Sequence, residues 1–220
     1  MGRLDASPAT ARLLERGAEL REIRAVVEDA AGGTGRLVVV RAPAGMGKSR
    51  LLTAAADEAD ERGLTAVSAR GSEQEREVPL GLVRQLFDSL LRSLTAEERE
   101  RALSGAAARA RALLDLGSAQ PVPSGAGSHS LYSLLANVSD ERPLALLIDD
   151  AHWSDEPSLA FLGFLSRRLD DVAVALLVAI RAGSRADQGV AVEEIAADPA
   201  ATRLLPGPLS EAGVTSIVRD

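Results

Sequence analysis

The segment A-P-A-G-M-G-K-S at positions 42–49 follows directly on the apolar run R-L-V-V-V-R at 36–41. A short run of β-branched residues is typical of a strand buried on both faces of a parallel sheet. Gly45 and Gly47 can adopt the positive φ values that turn successive backbone N–H groups toward one anion. From Ser49 to about Arg62 the periodicity is helical. Strand, glycine-rich loop and helix together predict a phosphate-binding loop.

The loop matches the pattern G-x-x-x-x-G-K-S, with Ala42 at the position of the first glycine. Alanine fits there as long as its φ stays negative. We expect Lys48 to reach the β- and γ-phosphates and Ser49 to ligate Mg²⁺ at a helix start whose dipole favours anions. The predicted cofactors are therefore ATP or ADP with Mg²⁺. The predicted nucleotide-binding residues of the loop are Ala44, Gly45, Met46, Gly47, Lys48, Ser49 and Arg50.

Two carboxylates end a second apolar run, P-L-A-L-L-I-D-D at 143–150. A phosphate-binding loop of this type needs a carboxylate for magnesium at the end of a neighbouring buried strand. We assign Asp149 to the Mg²⁺ shell, mostly through water, and Asp150 to polarising the attacking water. A solvated strand end also tolerates one aspartate, but a pair behind a buried strand favours the catalytic interpretation.

Arg181 ends a further apolar run, V-A-V-A-L-L-V-A-I-R at 172–181. It is either a catalytic residue that senses the γ-phosphate or a flanking surface arginine, and the sequence leaves both open. His152 and Trp153 follow the acidic pair, and packing at a strand–helix turn is the favoured interpretation for them.

Strands alternate with helices along the chain, which predicts an α/β fold whose parallel sheet has helices on both faces. We expect five strands, the fifth near 203–205, in a single domain over 1–220. It divides into an N-terminal segment and helix at 1–34, a sheet core at 35–209 with a helical insertion at 72–142, and an incomplete lid from 210 to 220.

The insertion carries its own local signals. Thr95 and Glu98 form a capping-box pattern that opens a helix rich in alanine and arginine, and we place 103–107 on the surface of that helix. Residues 117–130 are rich in glycine, proline and serine and predict a loop. A helix over 154–169 follows the acidic pair, begun by Ser154 or Asp155.

Composition excludes several classes of protein. The chain has no cysteine and only two histidines, so neither a thiolate nor a zinc centre is expected. Its net charge of −7 argues against direct nucleic-acid binding. The longest apolar run, Val172–Ile180, falls short of the roughly 20 residues that cross a bilayer, and no signal peptide is recognisable. We expect a cytoplasmic protein without membrane contact.

Five stretches carry a family resemblance: L-L-E-R-G-A-E-L, R-A-P-A-G-M-G-K-S-R-L-L, A-R-G-S-E-Q-E-R-E-V-P-L-G-L-V-R-Q-L-F, I-D-D-A-H-W-S-D-E-P-S-L and L-L-V-A-I-R. Over about 12–220 the chain resembles the AAA-like P-loop ATPase domain, of the STAND group, found in large LuxR-type transcriptional regulators of high-GC bacteria. The resemblance implies a three-layer sandwich with sheet order 5-1-4-3-2. It also implies that Arg16 lies near the nucleotide, although Glu15 and Gly17 stand where that family usually has glycine and glutamate.

The resemblance further implies an ATP-dependent switch that hydrolyses slowly. Such regulators continue with a lid, regulatory domains and a DNA-binding domain, so we expect an N-terminal fragment whose partners are those domains or a second copy. Two alternatives stay open at this point. A small-molecule phosphotransferase would need an acceptor pocket and a lid that closes over the phosphates, and a vestigial fold would keep the nucleotide site without using it.

Overall fold

In a computed structural model, residues 13–114, 125–183 and 190–219 are described. The five strands in these ranges form one sheet in the order β2-β3-β4-β1-β5, and all their pairings are parallel. This is the predicted order 5-1-4-3-2, counted from the opposite edge. The strands are β1 (Arg36–Ala42), β2 (Thr65–Arg70), β3 (Leu144–Asp149), β4 (Val174–Arg181) and β5 (Thr202–Leu204).

Helices cover both faces of the sheet. In the same ranges they are α1 (Gly17–Ala31), α2 (Lys48–Glu61), α3 (Gly81–Ser93), α4 (Ala96–Ala102), α5 (Ala110–Leu114), α6 (Ala126–Ser139), α7 (Glu156–Ser166), α8 (Val190–Ala196) and α9 (Glu211–Arg219). Short 3₁₀ turns lie at Glu73–Glu75, Gly105–Arg109, Ala151–Trp153 and Leu169–Asp171. None of the helices described has the length and apolar character needed to span a bilayer.

The sheet separates two hydrophobic cores. Side chains alternate between the faces of a strand, so Leu37 and Val39 of β1 pack with helices α3 to α8. Val38 and Val40 of the same strand pack on the opposite face with α1 and α2. This alternation explains why the strand sequences are uniformly apolar, and it confirms the three-layer α/β sandwich.

The insertion between β2 and β3 differs in part from the prediction. The capping box is present: the Glu98 N–H donates to Thr95 Oγ at 3.3 Å, and the Thr95 N–H donates to the Glu98 carboxylate at 2.7 Å. The placement of 103–107 on a helix surface is wrong. Helix α4 ends at Ala102, Gly105 has a φ of 60°, and both Leu103 and Ala107 are buried in the core.

Helix α6 begins within the segment predicted to be a loop. It starts at Ala126, and the Ser130 hydroxyl, which is buried, donates to the Ala106 carbonyl at 2.8 Å. The loop prediction is therefore wrong for 126–130, because tertiary contacts with the preceding turn stabilise a helix there despite the polar sequence. Residues 117–124 of the predicted loop lie outside the described ranges.

Asp155 connects the insertion to the helix that follows β3. Its Oδ1 accepts the Ser158 N–H at 2.9 Å, which caps α7, and the Leu80 N–H at 2.8 Å, which precedes α3. The residue is 3% exposed, so both hydrogen bonds lie inside the protein, while its Oδ2 is buried without a hydrogen-bond partner among the described residues. Asp155 is therefore the cap of α7, which ends at Ser166 and is shorter than predicted.

Replacing Asp155 with alanine should destabilise the fold, because two buried N–H groups lose their acceptor. We expect Asp155→Ala to lower the free energy of unfolding by about 2–4 kcal/mol in chemical denaturation. Asp57→Ala, at an exposed position of α2, is the control and should change that energy by less than about 0.5 kcal/mol. Equal effects of the two substitutions would contradict this role of Asp155.

Candidate functional site

A cavity of about 610 Å³ opens at the edge of the sheet where the parallel strands end. Crevices outside the carboxyl ends of parallel strands are the usual ligand sites of open α/β sheets. The loop after β1, the turn after β3 and the end of β4 all contribute to the wall. Its lining residues are Leu13, Leu14, Arg16, residues 44–50, Arg70, Asp150, His152, Trp153, Arg181, Pro208 and Leu209.

The glycine-rich loop has the backbone that the sequence predicts. Gly45 has a φ of 79° and Gly47 a φ of 85°, in the left-handed region that favours glycine. Gly47 directly precedes the first residue of α2, so the positive end of that helix faces the cavity. Ala42 is the last residue of β1 and pairs with Arg181 of β4. Its backbone is extended, which explains why alanine can replace the usual glycine.

Two buried cations line the cavity. Lys48 is 8% exposed and Arg16 is 7% exposed. Lys48 Nζ donates to the carbonyls of Ala42 and Pro43, both at 3.0 Å. The Arg16 guanidinium donates to the carbonyls of Gly207 and, at 3.5 Å, of Met46. Within the described part of the chain, neither cation forms a salt bridge with a carboxylate, although the charge of Arg16 acts on the neighbouring Glu15. A buried cation is costly unless an anion compensates it, so this cavity favours an anionic ligand.

Ser49 and Asp149 meet beside the cavity. Ser49 Oγ donates to Asp149 Oδ2 at 2.7 Å, which joins the start of α2 to the end of β3. Octahedral Mg²⁺ at 2.0–2.1 Å holds adjacent oxygens about 2.9 Å apart, so these two oxygens fit neighbouring ligand positions. No cluster of three His, Cys, Asp or Glu residues able to hold a metal occurs in the described ranges. Mg²⁺ commonly binds through one or two side chains plus phosphates and waters, so the donor set fits.

Arg70 is a site residue that the sequence analysis missed. It ends β2, and it donates to Asp150 Oδ2 from Nη2 at 2.8 Å and from Nε at 3.2 Å. The hydrogen bond with Asp150 and the charges of Asp150 and Asp149 raise the pKa of Arg70. Two N–H groups thus occupy Oδ2 of Asp150, so this oxygen is not available to a water molecule in this arrangement.

The Arg70–Asp150 pair is easily broken. The Arg70 side chain is 68% exposed, against 23% for that of Asp150. Exposed ion pairs of this kind contribute only about 0–1 kcal/mol, because solvent screens the charges. The pair therefore restrains Asp150 weakly enough for a ligand to release it.

His152 and Trp153 pack at the turn after β3, and both also line the cavity. Their ring centroids are 5.1 Å apart. His152 is 7% exposed, and its Nδ1 accepts the backbone N–H of Arg181 at 3.4 Å. Burial lowers the pKa of His152 below its ordinary value. The imidazole therefore connects the turn after β3 to the end of β4.

The opposite end of the cavity is apolar and is built from two distant segments: Leu13 and Leu14, and Pro208 and Leu209. Glu15 joins these segments, because its carboxylate accepts the Ser210 N–H at 2.8 Å and the Ser210 hydroxyl. Both hydrogen bonds lower the pKa of Glu15. Its φ of 59° lies in the left-handed region, which glycine adopts without strain.

The structure brings the predicted site residues together around one cavity. The wall contains Arg16, Ala44, Gly45, Met46, Gly47, Lys48, Ser49, Arg50, Asp150 and Arg181. Asp149 is not part of the wall and is connected to it through Ser49. The individual catalytic, nucleotide-binding and metal-binding roles stay predictions.

The profile of the AAA ATPase domain family matches residues 12–179, which include the glycine-rich loop and both aspartates. The chain belongs to this family. A comparison with curated proteins gives no match. The LuxR-type regulator context stays a prediction.

Solved structures share the fold at low sequence identity. The ORC2 protein of Aeropyrum pernix, solved as ADPNP–ADP complexes, aligns with a TM-score of 0.60 and 12% identity over 98% of this chain and 53% of its own. Cdc6p of Pyrobaculum aerophilum aligns with a TM-score of 0.59 and 13% identity over 97% of this chain and 51% of its own. The ORC1 protein of A. pernix, solved in complex with DNA, aligns with a TM-score of 0.56 and 15% identity over 93% of this chain and 48% of its own. This chain thus spans about half the length of each.

Lys48 is the only lysine of the chain, so amine-directed chemistry reports on this site alone, apart from the N-terminal amine. We expect inorganic triphosphate with Mg²⁺ to slow acylation of Lys48 by at least about tenfold, because a bound anion both covers and hydrogen-bonds the ammonium group. Acylation of the N-terminal amine, followed by mass spectrometry in the same sample, is the control. Equal rates at Lys48 with and without triphosphate would contradict an anion-binding cavity.

Proposed function

We propose that this chain is an ATP- and Mg²⁺-binding regulatory NTPase module that hydrolyses ATP slowly. The observation that carries the proposal is the pair of buried cations, Lys48 and Arg16, that face one cavity and form no salt bridge among the described residues. A Mg²⁺–triphosphate complex supplies the missing negative charge. Membership of the AAA ATPase domain family supports the same ligand class.

The proposed assignments follow the polarity of the cavity. Loop N–H groups and Lys48 bind the β- and γ-phosphates, while Ser49 and Asp149 hold Mg²⁺, which would neutralise charge on the phosphate oxygens. The base lies at the apolar end, against Leu13 and Leu14 on one side and 208–209 on the other. The ORC2 structure, solved with ADPNP and ADP, supports an adenine nucleotide by analogy of fold.

We attribute the proposed slow hydrolysis to the contact between Arg70 and Asp150. Asp150 is our proposed proton acceptor for the attacking water, and Arg181 our proposed γ-phosphate contact. Two guanidinium N–H groups compete with that water for Asp150 Oδ2 and hold the carboxylate in its present orientation. We expect turnover to rise when this contact at the end of β2 is released, which is appropriate for a regulatory protein. Because the net charge of the chain is −7, we assign no direct DNA contact to it.

Nucleotide binding is tested by thermal unfolding with Mg²⁺ and ATP. At a hundredfold excess over its dissociation constant, ligand should stabilise the fold by about 2.7 kcal/mol, which raises Tm by roughly 5–10 °C for this size of domain. Lys48→Ala should remove most of that shift. Arg109→Ala, at an exposed position in the insertion, is the control and should keep it. An unchanged shift in Lys48→Ala would refute the proposed phosphate site.

Hydrolysis is tested by phosphate release from ATP. Arg70→Gln should raise the rate about two- to fivefold, because it removes an ion pair worth up to about 1 kcal/mol. Asp150→Asn should lower the rate on the order of a hundredfold or more while ATP still binds, because it removes the proton acceptor.

Arg76→Gln, in the exposed segment after β2, is the control for Arg70→Gln and should leave phosphate release unchanged. A lower rate in Arg70→Gln would mean that Arg70 assists catalysis instead of restraining Asp150. ADP release that depends on an added acceptor would favour a phosphotransferase. The absence of any ATP turnover, with binding intact, would favour a vestigial site.

A further inference from the structure

His152 is a buried titratable side chain of the cavity wall to which the proposed chemistry gives no role. It is 7% exposed and lies in the turn Ala151–Trp153, directly after the two aspartates of β3. One face of the imidazole packs near Trp153, with 5.1 Å between the ring centroids. A polar ring in such a place has few orientations available, so the direction of each ring nitrogen is restricted.

The hydrogen bond to Arg181 determines which nitrogen carries the proton. Nδ1 of His152 accepts the Arg181 N–H at 3.4 Å. A nitrogen that accepts a hydrogen bond carries no proton, so the ring is neutral and its single N–H is on Nε2. Burial lowers the pKa of His152, which agrees with a neutral ring. His152 therefore has one N–H donor left for another acceptor.

The surroundings of His152 are the phosphate end of the cavity. The charged groups close enough to influence it are Asp150, Lys48, Arg181 and Asp149. These are the residues assigned above to the terminal phosphate, to Mg²⁺ and to the attacking water. The apolar wall assigned to the base contributes no charged group to this set. His152 also lines the cavity beside Lys48, Asp150 and Arg181, so its remaining N–H belongs to the end of the cavity assigned to the γ-phosphate.

We propose that His152 contacts the terminal phosphate of a bound nucleoside triphosphate through its Nε2–H, and so distinguishes a triphosphate from a diphosphate. Through Nδ1 the same ring holds the backbone of Arg181, so the terminal phosphate and the end of β4 share one side chain. A neutral donor adds a hydrogen bond without adding a third cation beside Lys48 and Arg181. The inference rests on the proposed function and extends it to selectivity for the γ-phosphate.

Two substitutions by amide side chains distinguish the roles of the two ring nitrogens of His152. The shorter side chain of His152→Asn can still accept the Arg181 N–H but does not extend to the position of Nε2. The longer side chain of His152→Gln can place an N–H donor near that position. Isothermal titration with Mg²⁺ would measure the affinities of the non-hydrolysable analogue ADPNP and of ADP for each variant.

We expect His152→Asn to weaken ADPNP binding about tenfold and ADP binding less than about twofold, because one hydrogen bond to a charged phosphate is lost. His152→Gln should recover most of the ADPNP affinity. Equal losses for both nucleotides in His152→Asn, or no recovery in His152→Gln, would overturn the inference and leave His152 a packing residue. If the wild-type chain binds neither nucleotide, the proposed function itself fails.

A measurement on the wild-type chain does not depend on the variants folding. The chain has two histidines, and His129 is exposed on α6, so ¹⁵N-histidine NMR gives one site signal and one internal control. We expect the Nε2–H tautomer for His152 and a shift of its Nε2 resonance with ADPNP that ADP does not produce. A protonated Nδ1, or the same shift with both nucleotides, would overturn the inference.

Discussion

The parallel pairing of β1, β3 and β4 is the constraint on which the rest of the site depends. Because all three strands run in the same direction, the glycine-rich loop, the two aspartates and Arg181 emerge at one edge of the sheet. Ser49 can then reach Asp149 across 100 positions of sequence with a 2.7 Å hydrogen bond. Two apolar cores hold the strands in this alignment. The burial of their side chains therefore contributes more to positioning the site than the polar contacts within the site do.

Charge is distributed unevenly around the cavity. Lys48 and Arg16 are buried and use backbone carbonyls as acceptors, which compensate a full positive charge only in part. Arg70, in contrast, is largely exposed and pairs with Asp150. The buried cations thus create a standing preference for an anion, while the exposed arginine forms a contact that is weak enough to exchange. The buried cations Lys48 and Arg16 are therefore held more firmly than the exposed Arg70.

The sequence predicts the parts of the site that depend on local pattern. The loop 42–49 and the paired Asp149 and Asp150 are of this kind, whereas the strand order is implied by the family resemblance. Arg70 was missed because its contact depends on the register of β2 against β3, which places Arg70 opposite Asp149 and is not encoded in either segment alone. The break after α4 was missed for a similar reason, since Leu103 and Ala107 are buried by helices distant in sequence.

Arg16 connects two segments that are distant in sequence, and no sequence motif predicts this contact. Its guanidinium donates to the Met46 carbonyl in the glycine-rich loop and to the Gly207 carbonyl after β5, while Glu15 binds Ser210 just before α9. A guanidinium is planar and its donors have fixed directions, so a displacement of Met46 changes the geometry at Gly207 as well. The glycine-rich loop and the chain that leads into α9 are therefore connected through one side chain.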